Sequence, residues 1–380
     1  MKKQKIGIVG AGIVGLAHAW SAAERGHAVT VFERTARASE ASIRNFGMVW
    51  PIGQPEVSRP VAMVARERWL RLAERTDIWV DQVGSLHLAH HDDEWNVLRE
   101  YFDSGKVGEL GSHLRLLNPS QCYALSPAIQ PKGFLGGLFS DMELCVNPTN
   151  AVRAMPKFLN ESFGVKFHFS TPVVEVGTSW IRTPGYQESQ FDRIVVCSGH
   201  DFETLFPEVF RETPIRKCKL QMMRTVGQTG SWRLGPHLAS GLTLRHYSSF
   251  RHCPTLKSLI ERISKETPEL DRFGIHVMAS QDDAGRVVLG DSHEYDSDIE
   301  PFDSADIDRL ILRELTQIIQ LPSWQIESRW NGTYSKYADG IVFESEPLPN
   351  VHIATGLGGS GMTLAFGVAE RTWKRWSQES

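Results

Sequence analysis

Residues 10 to 15 read Gly-Ala-Gly-Ile-Val-Gly, and an acid, Glu33, closes the next apolar run. Glycines at these spacings leave backbone open to a charged ligand. Gly10 permits a tight turn, Gly12 lets main chain approach a pyrophosphate, and Gly15 lets a helix lie close on a strand. The pyrophosphate would rest at the positive end of the helix that follows, where unpaired N–H groups point outward. Glu33 would accept hydrogen bonds from an adenosine ribose. The motif alone is weak evidence; its setting decides. Ile6–Val9 reads as a buried strand, Ile13–Arg25 as a helix stopped by Gly26, and Ala28–Phe32 as a second strand leading to Glu33. Ala17, Ala19 and Ala23 give the helix small residues to set against a sheet.

Residues 356 to 361, Gly-Leu-Gly-Gly-Ser-Gly, repeat the same spacing between a strand at Val351–Ala354 and a helix from about Met362 to Trp376. With Ser380 the last residue, no further strand or acid follows, so a second nucleotide site is not expected. The helix N-terminus is expected instead beside a redox ring, where exposed N–H groups stabilise the negative charge of the reduced form. Enzymes of NAD and FAD share the first motif. A glycine cluster at each end of the chain favours FAD.

The intervening elements must bring these ends together. Arg59–Arg75 is expected as an amphipathic helix capped by Ser58, and Asn147–Phe163 as a helix kinked at Pro156. Val165–Phe169, Val173–Val176 and Arg193–Val196 read as strands. From Ile215 to about Trp330 strand-like runs (Lys219–Val226, Leu242–Tyr247, Ile275–Ala279, Arg286–Leu289) alternate with helices near Leu256–Lys265 and Ala305–Ile319. The fold class expected is α/β: a Rossmann-type FAD-binding domain with an inserted, mainly antiparallel α+β substrate domain. The cofactor domain is expected from 1–80, 140–213 and 330–380, and the substrate domain from 81–139 and 214–329.

Bulk properties remove other classes. Hydrophobic residues make up 41% of the 380 and charged residues 23%, an ordinary globular balance. A net charge of −4 gives no basic face for nucleic acid. Five scattered cysteines with no CxxC pair argue against a disulfide framework, a zinc ribbon or a disulfide reductase, and fit a cytoplasmic location. Lys2, Lys3 and Lys5 precede an apolar stretch, but glycines and His18 interrupt it, so neither a cleaved leader nor a membrane span is expected.

With both clusters placed, the chain resembles the D-amino acid oxidase family of flavoproteins, in the branch of glycine and sarcosine oxidases. The resemblance runs through Ile6–Glu33, Ala41–Met48, Val146-Asn147-Pro148, Val195–Gly199 and Gly356–Thr363. Asn45–Pro51 and Gly290–Tyr295 look like a bacterial clade proposed to oxidise aminophosphonates. The resemblance implies that Gly10, Gly12, Gly15, Glu33 and Arg34 hold the ADP half. It puts Ser42, Asn45, Gly47 and Met48 along the pyrophosphate and flavin, and Val173 or Val174 against the adenine. Gly199 would close the site, and Gly358, Gly359, Gly361, Met362 and Thr363 would face the isoalloxazine. Gly332 stands where sarcosine oxidases carry the cysteine that bonds the flavin, which implies non-covalent FAD.

Tyr334 stands where many relatives carry a carboxylate-binding arginine, and Thr363 where sarcosine oxidases carry a lysine. An ordinary α-amino acid carboxylate is therefore not expected to bind in the usual way. The implied reaction is oxidation of a C–N bond in a small amine: hydride leaves for flavin N5, and water splits the resulting imine. Oxygen or another acceptor would take the electrons. No catalytic base is assigned, since a neutral amine needs none. For the substrate anion Arg329 ranks first, with Arg245, His246, Lys219 and Arg224 behind it, Tyr247 and Tyr334 as donors, and Trp50 as a neighbour. On a strand, Arg245 and His246 would face opposite sides, so one at most sees the pocket. His293 reads as a cap on a strand turn. Two rivals are weighed: a flavin hydroxylase, whose Gly-Asp pair Gly290-Asp291 resembles but from within the inserted domain's pattern rather than leading into the last helix, and a relay subunit that hands electrons to a partner protein.

Overall fold

A computed structural model describes residues 3–185, 187–296 and 299–379. Continuous apolar runs build its first sheet. Lys5–Val9 lies centrally, with Ala28–Phe32 and Lys166–His168 on one side and Arg193–Val196, Val351–Thr355 and Phe343–Leu348 on the other. The pairings are parallel except the last, which is antiparallel. Such strands are covered on both faces, which is why they read as unbroken apolar stretches rather than alternating ones. Ile6, Ile8, Val31, Ile194, Val195 and Ile353 are almost fully buried.

The helix Ile13–Glu24 packs against this sheet, Gly361–Glu379 packs on that helix, and Arg59–Arg75 packs on Gly361–Glu379. Gly367 makes their close approach possible, because a Cβ there would stand 1.9 Å from the Val61 carbonyl oxygen. Trp69 Nε1 donates to the Met362 carbonyl at 2.8 Å. Arg68, buried among them, pairs with both Glu24 and Glu370, and Arg25 pairs with Glu370 at 2.6 Å. The first and last helices of the chain are thus fastened together by charge as well as by packing.

The second, larger sheet has nine strands and is mainly antiparallel. Its long members Ile215–Gly227 and Ile326–Tyr337 pair along most of their length. One parallel pair, Ser85–Ala89 with His237–Ala239, joins two halves of this sheet that are distant in sequence. The class expected from the sequence, α/β with a mainly antiparallel second layer, is the one observed.

Local expectations fail where side chains hydrogen-bond to nearby backbone. Leu242–Tyr247 is not a strand; Gly241–Arg245 forms a helical turn. Thr243 Oγ1 donates to the Ser240 carbonyl at 2.6 Å, and the His246 and Tyr247 amides return to the Thr243 carbonyl. Such local bonding outcompetes a sheet ladder. Ser58 does not cap its helix through its side chain, but donates back to the Pro55 carbonyl at 3.1 Å. The strand expected at Ile275–Ala279 begins later, at Met278–Gln281, and that at Val173–Val176 is reduced to Glu175–Val176. Pro148–Phe163 continues through Pro156 as one helix, with Asn147 accepting from the Asn150 amide at 3.0 Å.

Candidate functional site

Parallel strands bind ligands beyond their carboxyl ends, where connections diverge to opposite sides. Here three such ends converge: Gly10 after Lys5–Val9, Cys197–Gly199 after Arg193–Val196, and Gly356 after Val351–Thr355. They open on a cavity of about 690 Å³ that both glycine clusters line. The ends of the chain touch there: a Cβ on Gly361 would lie 3.6 Å from Ile13 Cγ2.

At the first cluster the glycines have different reasons. Gly10 has φ +96°, and a Cβ would strike the Cys197 carbonyl oxygen at 2.4 Å. A Cβ on Gly15 would stand 1.9 Å from the Gly10 oxygen. Gly12 differs, because its φ of −70° suits any residue and only Ser42 Oγ would lie near an added Cβ, at 3.0 Å. The backbone does not require glycine at 12; open space in the cavity wall is what a side chain would remove. Such a cradle at a helix N-terminus fits a pyrophosphate. The Ile13 amide donates to Ser42 Oγ at 2.9 Å.

Glu33, buried, accepts from the Ala11 amide at 2.9 Å and from the Thr35 amide and hydroxyl at 3.0 and 2.7 Å. A carboxylate has about four acceptor positions, so capacity for a ribose hydroxyl is left. Arg34 borders the cavity while pairing with Asp201 at 2.8 Å. Of the two adenine candidates Val173 lines the cavity, and Val174 is exposed and outside it. Asn45 lines the cavity and braces its loop, donating to the Ala41 and Ser42 carbonyls and accepting from the Gly47 amide. Gly47 lies behind the wall, at φ +76°, where a Cβ would strike the Val146 oxygen at 2.1 Å. Gly15 likewise supports the wall without lining it.

Ser42 and Gly199 also line the cavity, and around the second cluster Met48, Trp50, Gly332, Gly358, Gly359, Gly361, Met362 and Thr363 face it. Tyr334 lies against the second cluster, its Oη 3.7 Å from where a Gly359 Cβ would be. His246, Tyr247, His276, Met278, Asp291 and His293 complete this compartment.

Arg329, ranked first for the substrate anion, is outside the cavity. It is half exposed and paired with Asp308 at 2.8 Å. Strand alternation explains this, since Arg329 and Tyr334 have opposite parity on Ile326–Tyr337. Arg245 pairs with Asp271, Lys219 is buried beside Asp303 at 3.5 Å, and Arg224 pairs with Glu327 at 2.9 Å; none lines the cavity. His246 does, though from the end of a helical turn rather than a strand. Among the described residues, the lysine and arginines that line the cavity are Lys336, Arg251, Arg44 and Arg34.

His276 is not marked by the sequence, Asp291 stands out there only within Gly290-Asp291, and His293 is expected only to cap a turn. For Asp291 and His293 a pattern was present: positions two apart on an extended segment share a face. Nothing local marks His276. Burial, followed by the neighbouring imidazoles, holds His246 and His276 well below the usual histidine range. Burial, with Lys336 next, draws His293 down to about 3. Burial likewise pushes the Asp291 carboxyl well above the carboxylate range. The 3.4 Å approach of His276 Nε2 to Asp291 Oδ1 is therefore a contact of neutral groups, not an ion pair. Burial also raises the Tyr247 and Tyr334 hydroxyls, so they stay protonated donors.

All five cysteines are buried and unpaired, and no helix among the described residues is long and apolar enough to cross a membrane.

Comparison with known proteins agrees with this geometry. Residues 5–375 match a family model described as FAD dependent oxidoreductase, DAO. An opine oxidase subunit from Rhizobium meliloti is 24% identical over 374 residues, covering 94% of this chain and 89% of that protein. L-proline dehydrogenase from P. horikoshii superposes with a TM-score of 0.80 at 18% identity, over 100% of this chain and 94% of that one. Glycine oxidase from Geobacillus kaustophilus superposes with a TM-score of 0.75 at 18% identity, over 99% and 95%.

Proposed function

The chain belongs to the DAO family of FAD-dependent oxidoreductases, and from that premise we propose that it oxidises the C–N bond of a small amine carrying an anionic group, an aminophosphonate or a related amino acid or N-methyl amine. The observation that carries this reading is the shared cavity on which both glycine clusters, Tyr334 and the His246–His276–His293 wall open. When bound, the flavin supplies the redox chemistry, taking a hydride from the carbon beside nitrogen. The protein's part is to place that carbon and keep the amine neutral. Gly10, Gly12, Ser42 and Glu33 would hold the ADP half without a covalent bond, and Gly358, Gly359, Gly361, Met362 and Thr363 would meet the ring. The wall of uncharged imidazoles and protonated Asp291 offers no fixed charge to an ammonium, which favours binding of the free amine. Tyr334 and Tyr247 donate hydrogen bonds, and Lys336 and Arg251 are the cations within reach of the substrate's anionic end. Tyr334 in place of an arginine supports an anion held differently from a simple carboxylate.

We further propose the division into a cofactor domain of 1–80, 140–213 and 330–380 and a substrate domain of 81–139 and 214–329. The strand Ile326–Tyr337 crosses the last boundary, so the two are continuous there.

A second reading is favoured by the likeness to a protein named as an oxidase subunit: electrons would pass from the flavin to a partner chain rather than to oxygen. Anaerobic titration of the purified yellow protein with aminophosphonates, glycine, D-alanine and N-methyl amines tests the first reading. Bleaching by an aminophosphonate or N-methyl amine without any partner is expected; no bleaching by any small amine would refute it. Peroxide release on readmitting air then separates oxidase from relay.

A further inference from the structure

We propose that His246, His276 and His293, together with Asp291, form a binding site for a divalent first-row transition metal ion of the zinc class in the wall of the cavity. One ring nitrogen from each histidine lies within 4.8 Å of those of the other two. The ring centroids are 3.9, 4.5 and 4.8 Å apart. Imidazole nitrogen with carboxylate is the ligand set that zinc-like ions take, commonly as three protein ligands with a further position open.

The scaffold holds these groups in place. The backbones of His276 and Asp291 exchange hydrogen bonds of 3.3 and 3.0 Å, and the His293 amide donates to the Phe273 carbonyl at 2.9 Å. His293 Nδ1 lies 3.3 Å from the Gly274 carbonyl oxygen. Donating there makes Nε2 the lone-pair nitrogen, and Nε2 is the atom turned toward Asp291 Oδ2, at 3.9 Å. A backbone carbonyl fixing the far nitrogen in this way is the usual outer-shell support of a metal-bound histidine.

A second observation points to a missing ligand. Both ring nitrogens of His276 and Oδ1 of Asp291 are buried without a hydrogen-bond partner. Of these, His276 Nε2 and Asp291 Oδ1 face each other at 3.4 Å without reaching hydrogen-bond geometry, and buried polar groups left unpaired are costly. A single ion would take one nitrogen of His276, whose two ring nitrogens point apart, together with Asp291 Oδ1. Of the nearby cations, Arg245 is paired with Asp271, and Lys336 Nζ donates to the Tyr295 hydroxyl at 3.1 Å.

The test uses the flavin-loaded full chain, stripped with chelator and titrated with Zn²⁺ by calorimetry and metal analysis. One ion per chain is expected. His246→Gln and His276→Ala should each weaken Zn²⁺ binding by more than the roughly 10–100-fold that loss of an outer-shell partner costs. His113→Ala, a surface histidine paired with Asp141, should leave it unchanged. Because the buried variants could fail to fold, peptide mapping after diethylpyrocarbonate treatment of the wild-type protein supplies a second measurement, with Zn²⁺ protecting these three histidines selectively. Absence of stoichiometric Zn²⁺, or Zn²⁺ bound with no loss in His246→Gln and no protection of the three rings, would overturn the proposal. Neither result depends on which amine is oxidised, so failure here is separate from failure of the catalytic reading.

Discussion

The Trp50 amide donates to Thr363 Oγ1 at 2.9 Å across 313 residues of sequence, and both groups are buried. This bond ties a segment beyond the second strand, Ala28–Phe32, to the first turn of the last helix. Both residues line the cavity, as do Met48 and Met362. Thr363→Val keeps the shape and removes the acceptor. The variant is expected to lose about 1–3 kcal/mol, the cost of leaving a buried N–H unpaired, and to release flavin more readily. Thr363→Ser should restore both. Thermal unfolding of the flavin-loaded and flavin-free proteins measures the two effects separately.

Gly12 and Gly15 stand three positions apart and are expected to fail differently. At Gly15 an added Cβ would meet the Gly10 carbonyl at 1.9 Å, so Gly15→Ala must displace the turn itself. At Gly12 the backbone is ordinary and only Ser42 Oγ is near. Gly12→Ala should therefore fold with a melting temperature close to that of the flavin-free parent, yet bind FAD at least tenfold more weakly. Gly12→Val should be colourless. Gly15→Ala should lower stability even without flavin. A Gly12→Ala protein with unchanged FAD affinity would count against the pyrophosphate cradle.

The first strand, first helix, second strand and both glycine clusters were legible because each carries a local requirement: unbroken apolar runs, a glycine stop, an acid at a strand end. The cofactor half of the cavity followed from them. Around Tyr334 the sequence offered Tyr334, Tyr247, His246 and Trp50, but not His276, Lys336 or Arg251, which come from separate segments and are chosen by tertiary contact. His276 meets Asp291 through a backbone pairing that no local pattern announces. Arg329 misled because residue type was weighed without parity; its neighbour on the other face, Tyr334, is the one that reaches the cavity. Leu242–Tyr247 misled because its apolar alternation was outweighed by Ser240 and Thr243 bonding locally.

Glu344 gives the expected response to acid. Burial alone would raise its pKa, but the His352 ring nitrogen 3.3 Å away, the nearby Arg371 and the hydrogen bond from Thr372 together lower it from 4.5 to about 2. A carboxylate depressed on folding contributes stability above its unfolded pKa, and that contribution is lost as pH falls through the folded value. The window is thus from about 4.5 down to about 2. Glu344→Gln should be less stable at neutral pH by about 1–2 kcal/mol, allowing for solvent screening, and should lose less further stability across that window. Chemical denaturation at a series of pH values provides the measurement. Parallel curves for the two proteins down to pH 2 would contradict the assignment.

Strand geometry decides which cation meets the substrate. Arg329 is the obvious bidentate group by residue type, but its guanidinium is held by Asp308 on the outer face of its strand. Arg329→Lys should leave KM within about twofold for any anionic amine, because an exposed ion pair contributes only about 0–1 kcal/mol even to stability. Lys336 and Arg251 line the cavity beside the second glycine cluster and His246. A charge-assisted hydrogen bond to a phosphonate or carboxylate is stronger than a neutral one, and losing about 1.4 kcal/mol is a factor of ten. Lys336→Met or Arg251→Met should raise KM for an aminophosphonate about tenfold while leaving turnover of an uncharged N-methyl amine nearly unaffected. That split separates anion binding from general damage, since a misplaced flavin would slow both substrates equally. If Arg329→Lys raised KM and both cavity variants did not, the anion would have to approach from the outer face of the strand, and the substrate compartment would lie there instead of beside Tyr334.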